Sequence, residues 1–432
     1  MRVKDVYLSK LYGIYNHHIY LDNDGLTIIH GPNGVGKTAV LKCLKFILDW
    51  DLVALSKIPF RLCRIEMDNG LVITAQRQSK LAENKTGVFT GAVDVTFQRP
   101  DGSIEHAQGL DTKMLEFSES VAESKPWLSK LKKGLWRDVR DGTLVEAHDV
   151  IAEYLPGAKK KKRANSAYFD SVRNTLSVKI IDTHRLSGLA SEANGGAKIL
   201  ECVSDMVKQI KIVNAEYAKR AQELDQTFPH RLIMENQATY STAEVKQRLL
   251  RFETRQSQLS TIGLLASLEG PVLPSDIDAL SDAKLEAISL FVQDSEKKLD
   301  SFNELAIRCS ALLKLIENKF TNKKLAIRKD EGLVVLDSFN GHPIPIEALS
   351  SGEQHEIVIT YELLFKTPAN TLLLIDEPEI SLHVAWQKTF IEDLKYMSSI
   401  VGFDALVATH SPFIVGDHYE IMQALDDGDR GE

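Results

Sequence analysis

Apolar runs and alternating apolar positions divide the chain into regions of different predicted structure. Residues 372–375 and 405–408 are uninterrupted apolar runs, which are typical of parallel strands buried on both faces. Residues 3–11 and 26–30 also have the composition of strands. The runs that begin at residues 26, 372 and 405 all lead into glycine or polar residues. We therefore expect buried strands that deliver polar groups at their carboxyl ends.

Residues 60–108 follow a period of two instead. Alternating apolar positions flank the turns at residues 68–70 and 100–102, and this pattern predicts two antiparallel hairpins. Residues 178–186 predict one more core strand. Residues 124–156 show a helical, amphipathic pattern whose apolar stripe contains Trp127, Leu131, Leu135 and Trp136.

Between about residues 187 and 320 the strand patterns stop, and apolar residues recur at helical spacing. The Gly-Pro and Pro-Ser pairs at residues 270–271 and 274–275 separate two long outer helices, and a shorter helix is expected near residues 245–259. Outer helices of about 30 residues would each be about 45 Å long at 1.5 Å per residue. A short antiparallel arm and a compact bundle both fit this pattern.

Strand patterns return at residues 325–327 and 332–336, and a helix is predicted after residue 350. The sequence therefore predicts an α/β protein with a mixed sheet flanked by helices, an antiparallel β-lobe and an α-helical insertion. We expect an N-terminal lobe over residues 1–188, the insertion over residues 189–321 and a C-terminal lobe over residues 322–432.

Composition narrows the class of protein. The formal net charge of −8 and the pI near 5.9 do not indicate a general nucleic-acid binder, although a local basic patch is compatible with them. The four cysteines form no CxxC pair, which argues against a zinc site and favours a reducing compartment. No apolar run reaches the length of a membrane span, and the N-terminus lacks a signal-peptide pattern. We expect a cytoplasmic protein without membrane contact.

The first candidate for chemistry is the glycine-rich stretch 31–38. It matches the pattern GxxxxGK[ST] between an apolar strand and a helical pattern, which is the context that this phosphate-binding motif requires. Its backbone N–H groups can surround a β-phosphate, Lys37 can neutralise phosphate oxygens and Thr38 can bind Mg²⁺. The predicted nucleotide-binding residues of this stretch are Asn33, Gly34, Val35, Gly36, Lys37, Thr38 and Ala39.

Two carboxylates directly follow the apolar run 372–375. Asp376 is predicted to hold Mg²⁺ through water, and Glu377 is predicted to orient or deprotonate the attacking water. Such a pair is common in α/β proteins. Here, however, it accompanies the stretch 31–38, a serine–glycine turn before it and a histidine after it. These four motifs in this order predict an enzyme that hydrolyses ATP with Mg²⁺.

The serine–glycine turn opens the helix predicted after residue 350. It can offer N–H groups and a hydroxyl to an anion, so its candidate nucleotide-binding residues are Ser350, Ser351, Gly352 and Glu353. His410 follows the apolar run 405–408 and belongs to the fourth of these phosphate-chemistry motifs. The candidate catalytic residues are then Lys37, Glu377 and His410.

Two further groups of polar residues leave alternatives open. A run of cations could grip a phosphate backbone or a partner, or it could form a solvated loop; it consists of Lys159, Lys160, Lys161, Lys162 and Arg163. Gln76 and Gln78 end a predicted strand and are candidates for a nucleotide lid, with a solvated glutamine as the alternative.

Residues 31–38, 349–354 and 372–377 and His410 resemble, in this order, the Walker A, signature, Walker B and switch-histidine motifs of ABC-type ATPases. The segments 349–356 (LSSGEQHE), 376–383 (DEPEISLH) and 409–412 (THSP) are more narrowly similar to the soluble SMC/RecF/OLD branch. Within that branch they look most like stand-alone ATPase subunits of bacterial anti-phage systems of the Septu and PARIS kinds. The resemblance covers both lobes and does not extend to the insertion.

The resemblance implies a shared active site. In this family two heads enclose two ATP molecules, so we expect a homodimer or a higher homo-oligomer. Each ATP would contact the Walker A loop of one subunit and Ser350 and Gly352 of the other. Lys37 and Thr38 would serve the phosphates and Mg²⁺ together with Asp376. Glu377 would act on the water, and His410 would sense the γ-phosphate.

The sequence departs from the wider family at several points. The aspartate that follows Walker B in ABC transporters is missing, with Leu382 and His383 in its region, as is normal for the OLD-like branch. His184 occupies the strand end where a lid glutamine is expected, so the lid residue stays open. The insertion has no CxxC, which disfavours a zinc-hook repair ATPase. The chain has no room for a Toprim domain after His410, and we expect any nuclease to be a separate protein.

The resemblance implies a slow ATPase that acts as a sensor or scaffold in anti-phage defence. It would control an effector nuclease of the HNH or Toprim type supplied in trans, and its trigger would be DNA or a phage protein. The alternative is an SMC/RecF-like ATPase of DNA repair or chromosome maintenance, in which the insertion and residues 159–163 contact duplex DNA. The motor subunit of a membrane transporter fits poorly, because such heads lack so large a helical insertion.

Overall fold

A computed structural model shows two compact units within the chain. One consists of residues 1–185 with 368–432, and the other of residues 186–367. The structure describes residues 1–22, 24–77, 93–108, 112–132, 134–154, 175–182, 195–234, 240–266, 282–380, 382 and 384–425. None of the helices in these ranges is long and apolar enough to cross a membrane.

The strands and helices follow each other in an order that mixes both types throughout the chain. Strands β1 to β17 are Val3–Leu11, Tyr15–Tyr20, Leu26–His30, Leu62–Met67, Val72–Arg77, Val93–Gln98, Ile104–Gln108, Leu128–Lys132, Leu135–Asp138, Leu144–Glu146, Ser177–Asp182, Lys323–Arg328, Gly332–Asp337, Pro343–Ile344, Thr371–Asp376, Asp404–Thr409 and Met422–Ala424. Helices α1 to α12 are Lys37–Leu48, Leu52–Ser56, Thr112–Glu123, Ala147–Tyr154, Gly195–Met234, Thr242–Ile262, Asp282–Leu299, Asn303–Glu317, Ser351–Phe365, Val384–Gln387, Phe390–Val401 and Pro412–Val415.

The first unit contains a five-stranded parallel sheet in the order β11-β15-β16-β3-β17. Every residue of β15 and β16 is buried, as expected for uninterrupted apolar runs with other layers on both faces. In register, Asp376 pairs with Ala408 and Thr409 pairs with His30. The strand predictions for β3, β15 and β16 are confirmed, and the one at residues 178–186 is confirmed over residues 178–182; residues 183–186 lie outside the described ranges. The ends of β15, β16 and β3 lie side by side.

A six-stranded antiparallel sheet belongs to the same unit and has the order β2-β1-β4-β5-β6-β7. Both predicted hairpins are confirmed, since β4 pairs with β5 and β6 pairs with β7. Helix α1 shares one apolar core with the two sheets. Its Leu41 and Leu44 belong to the same buried cluster as Ile65 of β4 and Leu374 of β15. This packing anchors the helix that begins at Lys37.

The predicted amphipathic helix over residues 124–156 is confirmed for residues 147–154 and is wrong for residues 124–146. Three short strands, β8 to β10, form there and are followed by α4. Gly134 and Gly142 have φ angles of 75° and 76°, and such glycines turn the chain between successive strands. Trp136 is 1% exposed and packs with Ala122 and Val150. Its burial follows from strand alternation rather than from a helical stripe.

The second unit combines the predicted insertion with residues 322–367. Helix α5 has 40 residues, which corresponds to about 60 Å and exceeds the prediction. The middle helix is confirmed as α6. The second outer helix is divided at residues 300–302 into α7 and α8. Arg231 of α5 forms an ion pair with the buried Asp294 of α7 at 2.6 Å, so the C-terminal part of α5 is fixed to α7.

The other end of α5 packs against the remainder of this unit, which contains the antiparallel sheet β12-β13-β14 and helix α9. Tyr361 of α9 donates a hydrogen bond to Asp205 of α5 at 2.7 Å. The predicted strands β12 and β13 and the predicted helix α9 are confirmed. The α/β fold class is also confirmed, with a parallel sheet, antiparallel sheets and flanking helices.

Candidate functional site

The parallel sheet brings three of the predicted motifs to one edge. Residues 31–36 follow β3, Glu377 follows β15 and His410 follows β16. The carboxyl ends of neighbouring parallel strands lie at the same edge of a sheet, where ligands usually bind in open α/β folds. Glu377 N–H also donates a hydrogen bond to Ala408 O at 2.7 Å. This edge of the first unit is the candidate site.

Residues 31–36 form a tight loop that leads into the N-terminus of α1. Gly34 and Gly36 have φ angles of 89° and 101°, which side chains rarely permit. A Cβ added to Gly36 would lie 2.5 Å from Leu11 Cδ2. The first N–H groups of α1 have no partner within the helix, and together with the helix dipole they favour an anion.

Gly36→Ala is expected to destabilise the free protein more than Gly34→Ala. Both positions carry the cost of a positive φ, about 1–3 kcal/mol for a side chain. Only the added Cβ at Gly36 also meets another side chain, whereas at Gly34 it has no heavy atom within 4 Å. Thermal unfolding of the two variants without nucleotide measures the difference. Equal melting temperatures would contradict the close approach of Leu11 to this loop.

Lys37 is the first residue of α1 and is only 5% exposed. Its Nζ donates hydrogen bonds to Gly31 O at 2.9 Å and to Pro32 O at 3.2 Å. Burial lowers the pKa of Lys37, and the nearby carboxylates of Glu377, Asp376 and Glu379 oppose this by raising its pKa. The lysine is therefore held inside the loop where phosphate oxygens would bind, facing several negative charges.

His410 lies between Lys37 and Glu377. Its Nδ1 is 3.3 Å from Lys37 Nζ, and its Nε2 is 3.2 Å from Glu377 Oε1. An ammonium group can only donate, so Nδ1 must accept and, in the neutral ring, Nε2 carries the proton. This assignment makes His410 a donor to Glu377. The three predicted catalytic residues are thus brought together in one line of contacts.

Glu377 occupies an unusual backbone conformation. Its φ is 46°, in the left-handed region that costs a residue with a side chain about 1 kcal/mol or more. The conformation directs the chain away from β15 immediately after Asp376 and places the Glu377 carboxylate beside His410. Strain of this kind is often found at functional positions.

Thr38 and Asp376 have the oxygen atoms that Mg²⁺ prefers. Thr38 is in the first turn of α1, and Asp376 is 7% exposed at the end of β15. Within the described part of the chain, no group of three or more His, Cys, Asp or Glu side chains could hold a metal ion by itself. Mg²⁺ often binds one or two protein oxygens together with substrate phosphates and water, and a hydroxyl with one carboxylate fits that arrangement.

The signature turn lies in the second unit. Ser350 is the N-cap of α9, and its hydroxyl accepts a hydrogen bond from Glu353 N at 3.3 Å. The Glu353 carboxylate accepts in return from Ser350 N at 2.9 Å, and Lys323 Nζ donates to both Glu353 carboxylate oxygens at 2.8 Å. These contacts form a capping box. Ser351 and Gly352 occupy the first turn of α9.

Two sets of predicted residues cannot be placed in this way. The cations at residues 159–163 lie outside the described ranges, as do Gln78 and His184. Gln76 is exposed on β5, in register with Leu62. The candidate lid residues are therefore not brought to the site by any described contact.

The helix that follows the signature turn contains a buried histidine that links stability to pH. His355 is 6% exposed, and burial lowers its pKa to about 4. The unfolded chain would protonate this residue near pH 6.5, so the folded state loses stability as the pH falls from about 6.5 to about 4. The loss attributable to His355 is at most about 3 kcal/mol.

Removing the imidazole of His355 should make the free energy of unfolding depend less on pH in this range. We expect His355→Gln to weaken the fall in the free energy of unfolding between pH 6.5 and 4, measured by urea denaturation. His342→Gln, at an exposed histidine of the same unit, is the control and should behave like the unchanged protein. Identical pH dependence in all three proteins would contradict the assignment.

Sequence reasoning missed two residues that hold the turn after β16. Glu379 Oε1 accepts hydrogen bonds from the backbone N–H groups of His410 at 2.8 Å and Ser411 at 3.2 Å. Gln387 of α10 accepts a hydrogen bond from Ser411 Oγ at 3.2 Å. Glu379 could have been suspected from its place two residues after Glu377. Gln387 has no local signal, because its role depends on a contact 24 residues along the chain.

Residues 26–416 match the family described as "AAA domain, putative AbiEii toxin, Type IV TA system". A segment of 71 residues is 35% identical to UvrABC system protein A of Chlamydia pneumoniae; it is 16% of this chain and 4% of that protein. The chain thus spans a small fraction of the length of this curated relative.

Among solved structures, similar chains include SMC head domains. The head domain of Smc from Pyrococcus furiosus, with an extended coiled coil and bound to the C-terminal domain of ScpA, has 13% identity and a TM-score of 0.33 over 99% of this chain and 94% of that chain. The SMC head domain from Thermotoga maritima has 11% identity and a TM-score of 0.32 over 98% and 94%.

Proposed function

Because the chain belongs to the family described as "AAA domain, putative AbiEii toxin, Type IV TA system", we propose that it binds ATP and hydrolyses it to ADP and phosphate. The observation that carries this proposal is the line of contacts from Lys37 through His410 to Glu377 at the carboxyl edge of the parallel sheet. This line joins a cation suited to phosphate oxygens to a carboxylate suited to accept a proton from water.

Each residue of the site has a distinct part in the proposed reaction. The N–H groups of residues 33–39 surround the phosphates, and Lys37 neutralises their oxygens. Glu377 orients the attacking water and takes its proton, while His410 donates to Glu377 and lies where it can sense the γ-phosphate. Thr38 and Asp376 would hold Mg²⁺, which when bound neutralises charge on the phosphates.

The proposed site is completed by a second copy of the chain. Ser350, Ser351, Gly352 and Glu353 would contact the γ-phosphate bound to the partner, so that two ATP molecules join two heads. This proposal rests on the resemblance of residues 349–354 to the signature motif of ABC-type ATPases. The first N–H groups of α9 support it, because a helix N-terminus favours an anion; at Ser350 the phosphate would take the place of the Glu353 carboxylate.

Phosphate release from the purified protein with ATP and Mg²⁺ tests the proposal. We expect hydrolysis at about 1 s⁻¹ or less, the low end of common enzyme rates. We also expect the molecular mass of the protein in solution to increase when ATP is added, because ATP would join two copies of the chain. A protein that binds no ATP would contradict the proposed function. Turnover at about 100 s⁻¹ or more without a partner would instead contradict a signalling role while supporting the reaction.

The proposed cellular role is that of an ATP-dependent sensor or scaffold in bacterial anti-phage defence, with an effector nuclease in trans. It is supported by the resemblance of residues 349–356, 376–383 and 409–412 to ATPase subunits of such systems. To test it, Glu377→Gln protein is purified from its native host with ATP, and bound proteins are identified by mass spectrometry. Lys37→Met, which should bind ATP more weakly, is the control and is purified at the same ATP concentration. A stoichiometric nuclease found only with Glu377→Gln would support the role.

The alternative role is an SMC/RecF-like ATPase of DNA repair or chromosome maintenance. The feature that favours it is the run of five cations at residues 159–163, since each contact with a DNA phosphate makes affinity depend on salt. Duplex binding that weakens with salt, and weakens further when these residues are changed to glutamine, would support this role. No binding at low salt would eliminate it and leave the defence role.

A further inference from the structure

We propose that Glu379 is a positioning residue that holds His410 in its place between Lys37 and Glu377. We also propose that Gln387 keeps Glu379 in position. The proposal rests on the proposed ATPase function, because it assigns a task within that site. It concerns residues outside the predicted catalytic set. The effect proposed for them acts through the position of His410, apart from the charge that Glu379 presents to Lys37.

Glu379 acts on the backbone of the turn rather than on a side chain. One oxygen, Oε1, accepts from two successive N–H groups, those of His410 at 2.8 Å and Ser411 at 3.2 Å. Bonds from backbone N–H groups to a carboxylate are among the stronger hydrogen bonds. Two of them to one atom fix the direction in which the chain leaves β16. They thereby fix the Cα position from which the imidazole of His410 extends.

Gln387 ties the segment that carries Glu379 to the same turn. Its Nε2 donates to Glu379 O at 3.1 Å and to Leu382 O at 3.2 Å. Its Oε1 accepts from Ser411 Oγ at 3.2 Å, and the side chain is buried. All the hydrogen-bonding atoms of the amide are therefore used between the segment after β15 and the turn after β16. Neither segment can shift without breaking bonds to the other.

We call these bonds of Glu379 and Gln387 the clamp. The clamp keeps the contacts of His410 aligned. The imidazole must reach Lys37 with Nδ1 and Glu377 with Nε2, at 3.3 Å and 3.2 Å. A shift of about 1 Å in such a group can cost about 100-fold in rate. Glu377 is on the same connected segment as Glu379, two residues earlier. The clamp therefore keeps Glu377 and His410 in a fixed position relative to each other.

The second oxygen of Glu379 argues that the residue is not present for stability alone. Its Oε2 is buried and has no hydrogen-bond partner among the described residues. Burying a carboxylate oxygen without a partner costs free energy. A neutral side chain would avoid this cost, so the gain from an acidic group at this position has to lie elsewhere, in the firm hold on the two N–H groups.

The test uses rates of ATP hydrolysis in a double-mutant cycle. We expect Glu379→Ala to lower kcat by about 10- to 100-fold with little change in the Kd for ATP. Glu379→Gln keeps an acceptor oxygen but loses the charge, so it should restore only part of the rate. The double variant Glu379→Ala/His410→Ala should be no slower than His410→Ala alone, because the same contact is already lost. Glu392→Ala, an exposed acid of α11, is the control and should not change kcat.

A second readout needs no turnover. With histidines labelled by ¹⁵N, the ring shifts that disappear in His410→Ala identify His410. We expect the unchanged protein to show the tautomer protonated at Nε2, and Glu379→Ala to show a mixture with faster exchange of the His410 amide. If the protein does not hydrolyse ATP, the proposed function fails while this readout still decides the clamp. An unchanged His410 signal, or losses in kcat that multiply in the double variant, would overturn the inference.

Discussion

Glu377→Gln is expected to slow ATP hydrolysis by about 10²- to 10⁴-fold, the usual contribution of a general base, while ATP binding stays close to that of the unchanged protein. Glutamine has nearly the same shape, and its amide oxygen can accept the hydrogen bond that Glu377 Oε1 now receives from His410 Nε2 at 3.2 Å. The contact line from Lys37 therefore persists. What disappears is the group that can take a proton from water.

Phosphate release in single-turnover conditions and ATP binding by calorimetry measure the two expectations separately. Glu392→Gln, which makes the same chemical change on the exposed face of α11, is the matched control and should hydrolyse ATP normally. A Glu377→Gln protein that retains a tenth or more of the activity would show that another group accepts the proton. Loss of ATP binding would show that the carboxylate holds the site together rather than acting on water.

Lys37→Met should weaken ATP binding as well as hydrolysis. Hydrogen bonds to a charged group contribute about 1.5–3 kcal/mol, so we expect a Kd about 10- to 150-fold higher. Methionine keeps the length of the side chain but cannot contact phosphate oxygens by charge. The protein without ATP should unfold at a similar temperature, because burial already lowers the pKa of Lys37 and the charged form is costly in the folded state.

The control for this variant lies on the same helix. Lys42→Met changes a partly exposed lysine of α1 and should leave both affinity and rate unchanged. If Lys37→Met bound ATP as well as the unchanged protein, the loop at residues 31–36 would not be the phosphate site. If it lost ATP binding together with much of its thermal stability, the loss could be assigned to unfolding, and Lys37→Gln would then be measured.

The sequence predicts the carboxyl edge of the parallel sheet well because its signals are local. An uninterrupted apolar run specifies a strand buried on both faces, and glycines at φ-positive positions mark the loop after β3. The order and register of β15, β16 and β3, which the structure supplies, then bring Glu377, His410 and Lys37 together. The strands and the loop each depend on residues that are neighbours in the chain, so their patterns can be recognised in the sequence.

The parts of the fold and of the site that the sequence did not predict depend on competition between local and distant interactions. Residues 124–146 have apolar positions that fit a helix as well as strands, and the turns at Gly134 and Gly142 decide in favour of strands. The length of α5 depends on contacts toward both of its ends. Asp205 of α5 accepts a hydrogen bond from α9, and Arg231 of α5 forms an ion pair with α7. The clamp of Glu379 and Gln387 has no periodic signal, because its bonds join segments that meet only in the folded protein.

The capping box of α9 gives the proposed contact between two copies an unusual energetic character. Ser350 N and Ser350 Oγ already bond to the Glu353 carboxylate, which Lys323 also binds. A γ-phosphate arriving at Ser350 would replace one anion by another instead of filling an open position. The free energy of such an exchange is a difference between two similar terms, so small changes in either can reverse it. Under the proposed function, the contact at Ser350 would by itself add little to the association of the two copies, and a modest bias from a trigger would be enough to change its sign.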